Sequence, residues 1–257
     1  MSSQGFTLEH GGWLHILPVC HYRVEFAGLV RDAVQTLGPA VVAVELPASL
    51  RNQVLRGVAR LPELSVVMCP VGADGMVYLT VEPIDPMVEA LRSASECGVP
   101  VAFVDLDVEE YGEYRDAVPD AYAVWRVGLE AFYQAYRRFP RPQDPLDQRR
   151  EAAMAYHLQR LHQEHGGPVL LVCGMAHADG VRETAVHGDF VEQRADRVVR
   201  KPDIIYRHLD QTAVREQELR VRRERVPREG DVVESDAQVR VRQPVELDPR
   251  VLDRGCG

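Results

Sequence analysis

The sequence has little of what marks secreted, membrane-spanning or nucleic-acid-binding proteins. Its five cysteines form no Cys-x-x-Cys pair, which argues against a disulfide framework and against a structural zinc knuckle. No run approaches the roughly 20 apolar residues that span a bilayer. Acidic residues outnumber basic ones, 39 to 30, and the excess lies before Ala195. Because this part of the chain offers no basic surface, we expect neither nucleic acid nor a membrane as a partner.

The first residues also lack the basic segment, the apolar run and the small-residue cleavage site of a signal peptide. We therefore expect a cytoplasmic protein whose thiols are mostly reduced and buried. Lysine is nearly absent, since Lys201 stands alone among many arginines, and we give this bias no functional weight.

Short apolar segments alternate with longer amphipathic ones, the pattern of parallel strands that helices cover on both faces. The predicted strands are residues 13–19, 40–45, 65–69, 99–105 and 168–173, and the predicted helices between them are 25–36, 48–59 and 86–97. Asp85 can cap the last of these helices, with Pro86 in its first turn. The sequence thus predicts a three-layer α/β fold with a mostly parallel central sheet.

Two further regions complete the predicted organisation. Residues 109–165 have only helical patterns and form a helical insertion before the last strand. After residue 191 the hydrophobic density falls and charges crowd together. We therefore predict an α/β domain over 1–193 and a charged C-terminal extension over 194–257, either a solvated helix with a loosely attached strand or a partner-binding arm.

Polar residues stand at the ends of the predicted strands, where open α/β sheets bind their ligands. His21 follows the first strand, Glu45 ends the second, Asp105 and Asp107 end the fourth, and His177 follows the last. A carboxylate at the end of an apolar strand is costly to bury without a partner. Histidine with carboxylate suits a divalent metal and equally suits metal-free general-base chemistry, and the residue types leave both open. Both aspartates equally suit helix N-capping.

Four segments, taken in order, resemble the motifs of a superfamily that includes erythromycin esterases, TraB proteins, Tiki proteases and ChaN-like haem-binding proteins. They are Leu-Pro-Val-Cys-His21-Tyr for a first-strand Gly-Thr-x-His motif, Val-Val-Ala-Val-Glu45-Leu for a second-strand glutamate, Arg150-Glu151-x-x-Met154-Ala for an Arg-Asp/Asn/Glu-x-x-Met helix motif, and Cys-Gly174-Met-Ala-His177 for a Gly-x-x-His motif. Pro18 departs from the first motif, which usually has glycine there. The segments around Asp85 and Asp105 look most similar to an uncharacterised bacterial branch linked to operons of MoxR-type ATPases and von Willebrand A-domain proteins.

The resemblance implies a hydrolase that uses activated water on an amide or ester bond of a small molecule or peptide. His21, Glu45, Glu151 and His177 would line one cleft at the strand ends and face a solvated rim. In the metal version, His21, Glu45 and His177 hold a divalent ion (Zn, Mn, Fe or Co), and Glu151 is a fourth ligand or the base. In the metal-free version, His21 or His177 deprotonates water, Glu45 fixes its tautomer and Arg150 stabilises the oxyanion.

A non-catalytic function is the alternative, because one fold hosts many functions and this superfamily includes haem binders. In that case the same cleft would bind haem or another small molecule, and the extension over 194–257 would bind a protein partner. The sequence leaves the oligomeric state open.

Overall fold

The computed structural model describes residues 6–71, 75–108, 118–139 and 144–187. The strands of this part are β1 (Leu8–His10), β2 (Leu14–Val19), β3 (Val41–Pro47), β4 (Ser65–Val71), β5 (Gly75–Val81), β6 (Val101–Asp105) and β7 (Val169–Gly174). The α-helices are α1 (Val24–Leu37), α2 (Arg51–Val58), α3 (Pro86–Glu96), α4 (Ala123–Val127), α5 (Leu129–Tyr136), α6 (Pro145–His165) and α7 (Met175–His187).

Within the described residues, the main sheet has five strands in the order β1-β2-β7-β3-β6. β2, β7, β3 and β6 pair in parallel, and β1 pairs with β2 antiparallel. Helices flank this sheet, which confirms the predicted α/β fold. β7, the last strand of the described residues, lies between β2 and β3, so the residues that follow it emerge between two other strands rather than beside an outer strand.

The core forms where the apolar strands meet the apolar faces of the helices. β2 and β7 are buried along their whole length, as the continuous apolar runs in their sequences indicate. Phe26 of α1 contacts Phe132 of α5 edge to face, with ring centroids 5.5 Å apart. On α6, Met154 and Leu158 are fully buried against the sheet. No helix in the described part of the chain is long and apolar enough to cross a membrane.

The predicted helices between the first four strands are confirmed, and the cap of α3 is the one expected. Asp85 accepts hydrogen bonds from the backbone N–H groups of Met87 and Val88, at 2.8 and 3.3 Å, and Pro86 occupies the first turn. The helical insertion before the last strand is also confirmed, as α4, α5 and α6. The predicted extension over 194–257 and the predicted domain boundary lie outside the described residues.

The placement of residues 65–69 in the parallel sheet is wrong. This segment belongs to β4, which pairs antiparallel with β5 in a separate two-stranded sheet. The sequence pattern shows that a segment is extended and apolar, but hydrogen-bond partners come from tertiary contacts, and the nearby β5 offered a local partner. β5 and the short edge strand β1 were not predicted.

Candidate functional site

The candidate site lies at the carboxyl ends of the parallel strands. Pairing of β3 with β7 ends at Val44 opposite Val172, and pairing of β3 with β6 is irregular after Val44. Glu45 is therefore the first residue of β3 beyond the regular ladder, and its side chain is free to turn toward the end of β7. There its Oε2 accepts a hydrogen bond from the backbone N–H of Gly174, at 2.6 Å.

Arg150, on α6, contacts side chains at the carboxyl ends of three different strands. Its Nε and Nη2 bind Asp105 at 3.1 and 2.7 Å, in the bidentate geometry that suits guanidinium and carboxylate. Nη2 also donates to Oε1 of Glu45 at 2.7 Å, and Nη1 lies 3.0 Å from Nε2 of His177. Since Arg150 is only 7% exposed, these charges interact in a weakly screened environment.

Glu45 is held as an ionised carboxylate although it is only 8% exposed. Burial alone would raise the pKa of Glu45. The opposing effects of His177, Arg150 and His21 and of the Gly174 N–H are stronger, and together they lower the pKa of Glu45 to about 2. A buried negative charge is thus available at the edge of the sheet at neutral pH.

Asp105 and Glu45 share one guanidinium, and their pKa values move apart. Burial raises the pKa of Asp105 above its usual range, despite the pairing with Arg150, and the nearby charge of Glu45 adds to the rise. Asp107, two residues further on, is not part of the cluster of side chains around Arg150 and instead accepts a hydrogen bond from Ser49 Oγ at 2.7 Å. Of the two aspartates at this strand end, only Asp105 joins the site.

His177, on α7, contacts charged groups through both ring nitrogens. Nδ1 lies 3.1 Å from Oε1 of Glu151, while Nε2 lies near Arg150 and 3.4 Å from Oε1 of Glu45. A guanidinium can only donate, so in the neutral ring Nε2 accepts from Arg150 and Nδ1–H donates to Glu151. Burial alone would lower the pKa of His177, but Glu45 and the hydrogen bond to Glu151 outweigh it and raise that pKa.

His21 is the exposed member of the cluster. A Cβ built on Gly174 would lie 3.0 Å from Nε2 of His21 and 3.3 Å from Oε2 of Glu45, so both groups border the same small space above Gly174. The chain turns sharply after His21, because Tyr22 has a left-handed φ of 56°. The N–H of Tyr22 donates to Oδ2 of Asp85 at 3.2 Å, which anchors this turn to the first turn of α3.

The structure thus brings His21, Glu45, Glu151 and His177 to one edge of the sheet, and Arg150 joins them. The expectation that they face a solvated rim is wrong for Glu45 and His177, which are buried, and Arg150 is buried with them. α6 and α7 cover the strand ends, as the side chains that both helices contribute show.

Sequence reasoning did not connect two acidic residues with this region. Asp147 lies on α6, three residues before Arg150, with its Oδ1 3.7 Å from Nη1 of Arg150 and 3.9 Å from Nε2 of His177. The three-residue spacing from Arg150 on one helix is the sequence feature that could have connected Asp147 with Arg150. Asp85 was interpreted only as a helix cap, and nothing in the sequence connects it to Tyr22.

The predicted metal ligands do not form a metal site as they are arranged here. Among the described residues, no group of three histidine, cysteine or acidic side chains is placed to hold an ion. Both oxygens of Glu45 accept hydrogen bonds, from Arg150 and Gly174, and both nitrogens of His177 contact Arg150 or Glu151. An ion bound by Glu45 and His177 would have to share their donor atoms with the guanidinium of Arg150, so a divalent metal would require these side chains to rearrange.

Comparison of the chain with protein-family models, curated proteins and solved structures gave no match. The architecture and the site define an α/β protein with a buried cluster of charged side chains at the carboxyl ends of its parallel strands.

Proposed function

We propose that the chain is a hydrolase that cleaves an amide or ester bond with an activated water, and that His21 is the base. The observation that carries this proposal is that a buried Glu45, whose lowered pKa keeps it ionised, and an exposed His21 border the same small space above Gly174. The resemblance of four motifs to the hydrolase superfamily points to the same chemistry.

The proposed reaction begins with a water that contacts both the exposed imidazole of His21 and the carbonyl carbon of the substrate. His21 takes a proton as the water oxygen bonds to that carbon, and the charge of Glu45 stabilises the resulting imidazolium. The imidazolium then returns the proton to the departing amine or alcohol as the carbon–nitrogen or carbon–oxygen bond breaks. The substrate class is a small molecule or peptide with an amide or ester carbonyl.

Arg150 acts in this proposal by positioning Glu45 rather than by binding the substrate. Its guanidinium is buried and donates to Asp105 and Glu45, so moving it toward a substrate oxygen would break the bonds that hold the cluster. His177 lies 3.4 Å from the same oxygen of Glu45 that Arg150 binds, and Glu151 in turn contacts His177, so both add charge and hydrogen bonds to this group. This support keeps Glu45 ionised beside His21.

The metal-assisted version of this hypothesis has its own test. Metal analysis of protein purified without added metal or chelator measures whether an ion is bound. Stoichiometric Zn, Mn, Fe or Co that is lost in Glu45→Gln would favour that version. Hydrolysis that persists after chelation would favour the metal-free base.

A binding or structural role is the second candidate, and one observation favours it. Arg150, Glu45, Asp105 and His177 bond to one another, as they would in a cluster that only stabilises the fold. The two hypotheses differ in what they require of His21, which is exposed and is needed as a base only if the protein is a hydrolase.

The deciding experiment compares His21→Ala with His165→Ala on panels of ester and amide substrates. His165 is also exposed but lies at the far end of α6 from Arg150, so it is a matched control. We expect His21→Ala to lose at least about a hundredfold in kcat, which is typical of a lost general base, with an unchanged melting temperature. Equal turnover in both variants would overturn the assignment of His21. No hydrolysis by the wild-type protein on either panel would overturn the proposed function.

A further inference from the structure

The close approach of α6 to α7 beside His177 depends on a glycine. Gly180 lies three residues after His177 on α7, so the two positions share a face of that helix. The carboxylate of Glu151, from α6, lies against this face. A Cβ built on Gly180 would lie 2.8 Å from Oε1 of Glu151 and closer still to its Oε2 and Cδ. Glu151 therefore occupies the space that any other residue at 180 would fill.

We propose that Gly180 is a positioning residue: the missing side chain at position 180 lets the Glu151 carboxylate reach Nδ1 of His177. The 3.1 Å contact between Oε1 of Glu151 and this nitrogen supports the assignment. This inference rests on the site described above, but its test requires no catalytic activity.

Backbone conformation gives no separate reason for a glycine at this position. Gly180 lies inside a helix and is not among the glycines with a positive φ in the described chain. Alanine has the higher helix propensity, so helix stability alone favours Gly180→Ala. The group that a new methyl would meet is the far end of a flexible side chain, which can move away at small cost. The substitution should thus preserve the fold and displace the carboxylate.

The displaced carboxylate changes the environment of one ring nitrogen. The charged groups that contact His177 come from two elements. β3 contributes Glu45, and α6 contributes Asp147, Arg150 and Glu151. Arg150 in turn binds Asp105 of β6. Among these, Glu151 is the one whose contact is with Nδ1, while the contacts of Glu45, Asp147 and Arg150 are with Nε2. Arg150 still donates to Nε2, so the neutral ring keeps a preference for Nδ1–H, but loss of the Glu151 contact should weaken that preference and change the environment of Nδ1.

The test is nitrogen-15 NMR of the His177 ring at alkaline pH, where the ring is neutral and the two nitrogens report the tautomer. We expect Gly180→Ala to shift the Nδ1 signal of His177 to the value seen in Glu151→Ala. Adding Gly180→Ala to Glu151→Ala should cause no further change, because the group that the methyl displaces is then absent. An Nδ1 signal that is unchanged in Gly180→Ala, or an equal further change in the double variant, would overturn the inference.

Two comparisons keep the result interpretable. Gly28→Ala is the matched control: Gly28 lies inside α1, where a Cβ would meet the ring of Trp125 at 3.1 Å, and it should leave the His177 signals unchanged. If Gly180→Ala does not fold, the double variant with Glu151→Ala decides. Recovery of folding there supports a clash with Glu151, whereas an unfolded double variant overturns the inference. These outcomes do not depend on whether the protein hydrolyses any substrate.

Discussion

The carboxylate of Glu45 lies 2.7 Å from the guanidinium of Arg150, although 105 positions separate the two residues in the chain. Both are more than nine-tenths buried, so neither charge can be compensated by water if the other is removed. This pair connects the end of β3 to α6. The residues of the candidate site therefore also contribute to the stability of the fold.

Removing the guanidinium should destabilise the protein strongly. Arg150→Ala leaves Glu45 and Asp105 buried without their shared cation, which typically costs about 3–5 kcal/mol of unfolding free energy. Urea denaturation at neutral pH measures this cost. Arg160→Ala is the control, since the exposed pair of Arg160 with Glu164 on the same helix is worth about 1 kcal/mol at most. Equal costs for both variants would show that the cluster contributes nothing to stability.

Acid should destabilise the wild-type protein through Glu45. The pKa of Glu45 falls from 4.5 to about 2 on folding, so its charge contributes stability above pH 4.5 that is lost as the pH falls toward 2. Urea midpoints measured across this range should decline in the wild type. Glu45→Gln should be less stable at neutral pH and decline less steeply. Parallel curves would mean that Glu45 is not the titrating group.

Raising the pH should remove a second contribution to the free energy of unfolding, which comes from the protonated ring of His177. Its pKa is raised on folding, so the protonated ring contributes stability that is fully present below the ordinary pKa of 6.5. This contribution disappears as the pH rises through the pKa of the folded state. The free energy of unfolding should fall over that range in the wild type and remain flatter in His177→Asn. A wild-type curve that rises with pH there would contradict the expected sign.

Asp85 should stabilise the protein through two elements at once. Its carboxylate caps α3 and also accepts the N–H of Tyr22, next to His21. Asp85→Ala should cost roughly 2 kcal/mol, at the upper end of the range for a lost cap, because this buried side chain also holds the turn. Asp85→Asn is the matched variant and should cost less, since asparagine caps helices about as well. Chemical denaturation that shows equal losses would argue against a role of the side-chain acceptors.

Several elements of this fold follow directly from local sequence. The apolar run at 168–173 predicts a buried strand, and β7 is buried along its length. Asp85-Pro86 predicts the start of a helix, and α3 begins there with the expected cap. These signals succeed because they depend on hydrophobic burial and on hydrogen bonds between near neighbours in the chain.

The candidate site was predictable in part, for the same reason. His21, Glu45 and His177 stand at strand ends in the sequence, and parallel strands bring their carboxyl ends to one edge of a sheet. The sequence could not choose between Asp105 and Asp107, because the choice depends on which carboxylate points toward Arg150. It also gave no indication that Gly180 lies beneath Glu151.

The sequence by itself determined most of the strands and helices, the cap of α3 and the polar residues at strand ends, because each depends on the properties of neighbouring residues. Only the tertiary structure decided that β4 pairs with β5 in a separate sheet, that β7 lies between β2 and β3, and that Arg150 binds Glu45 and Asp105 together. Those features depend on contacts between residues far apart in the chain. The free energy of such a contact comes from burial and from the geometry of both partners, and neither is encoded in the sequence around one of them.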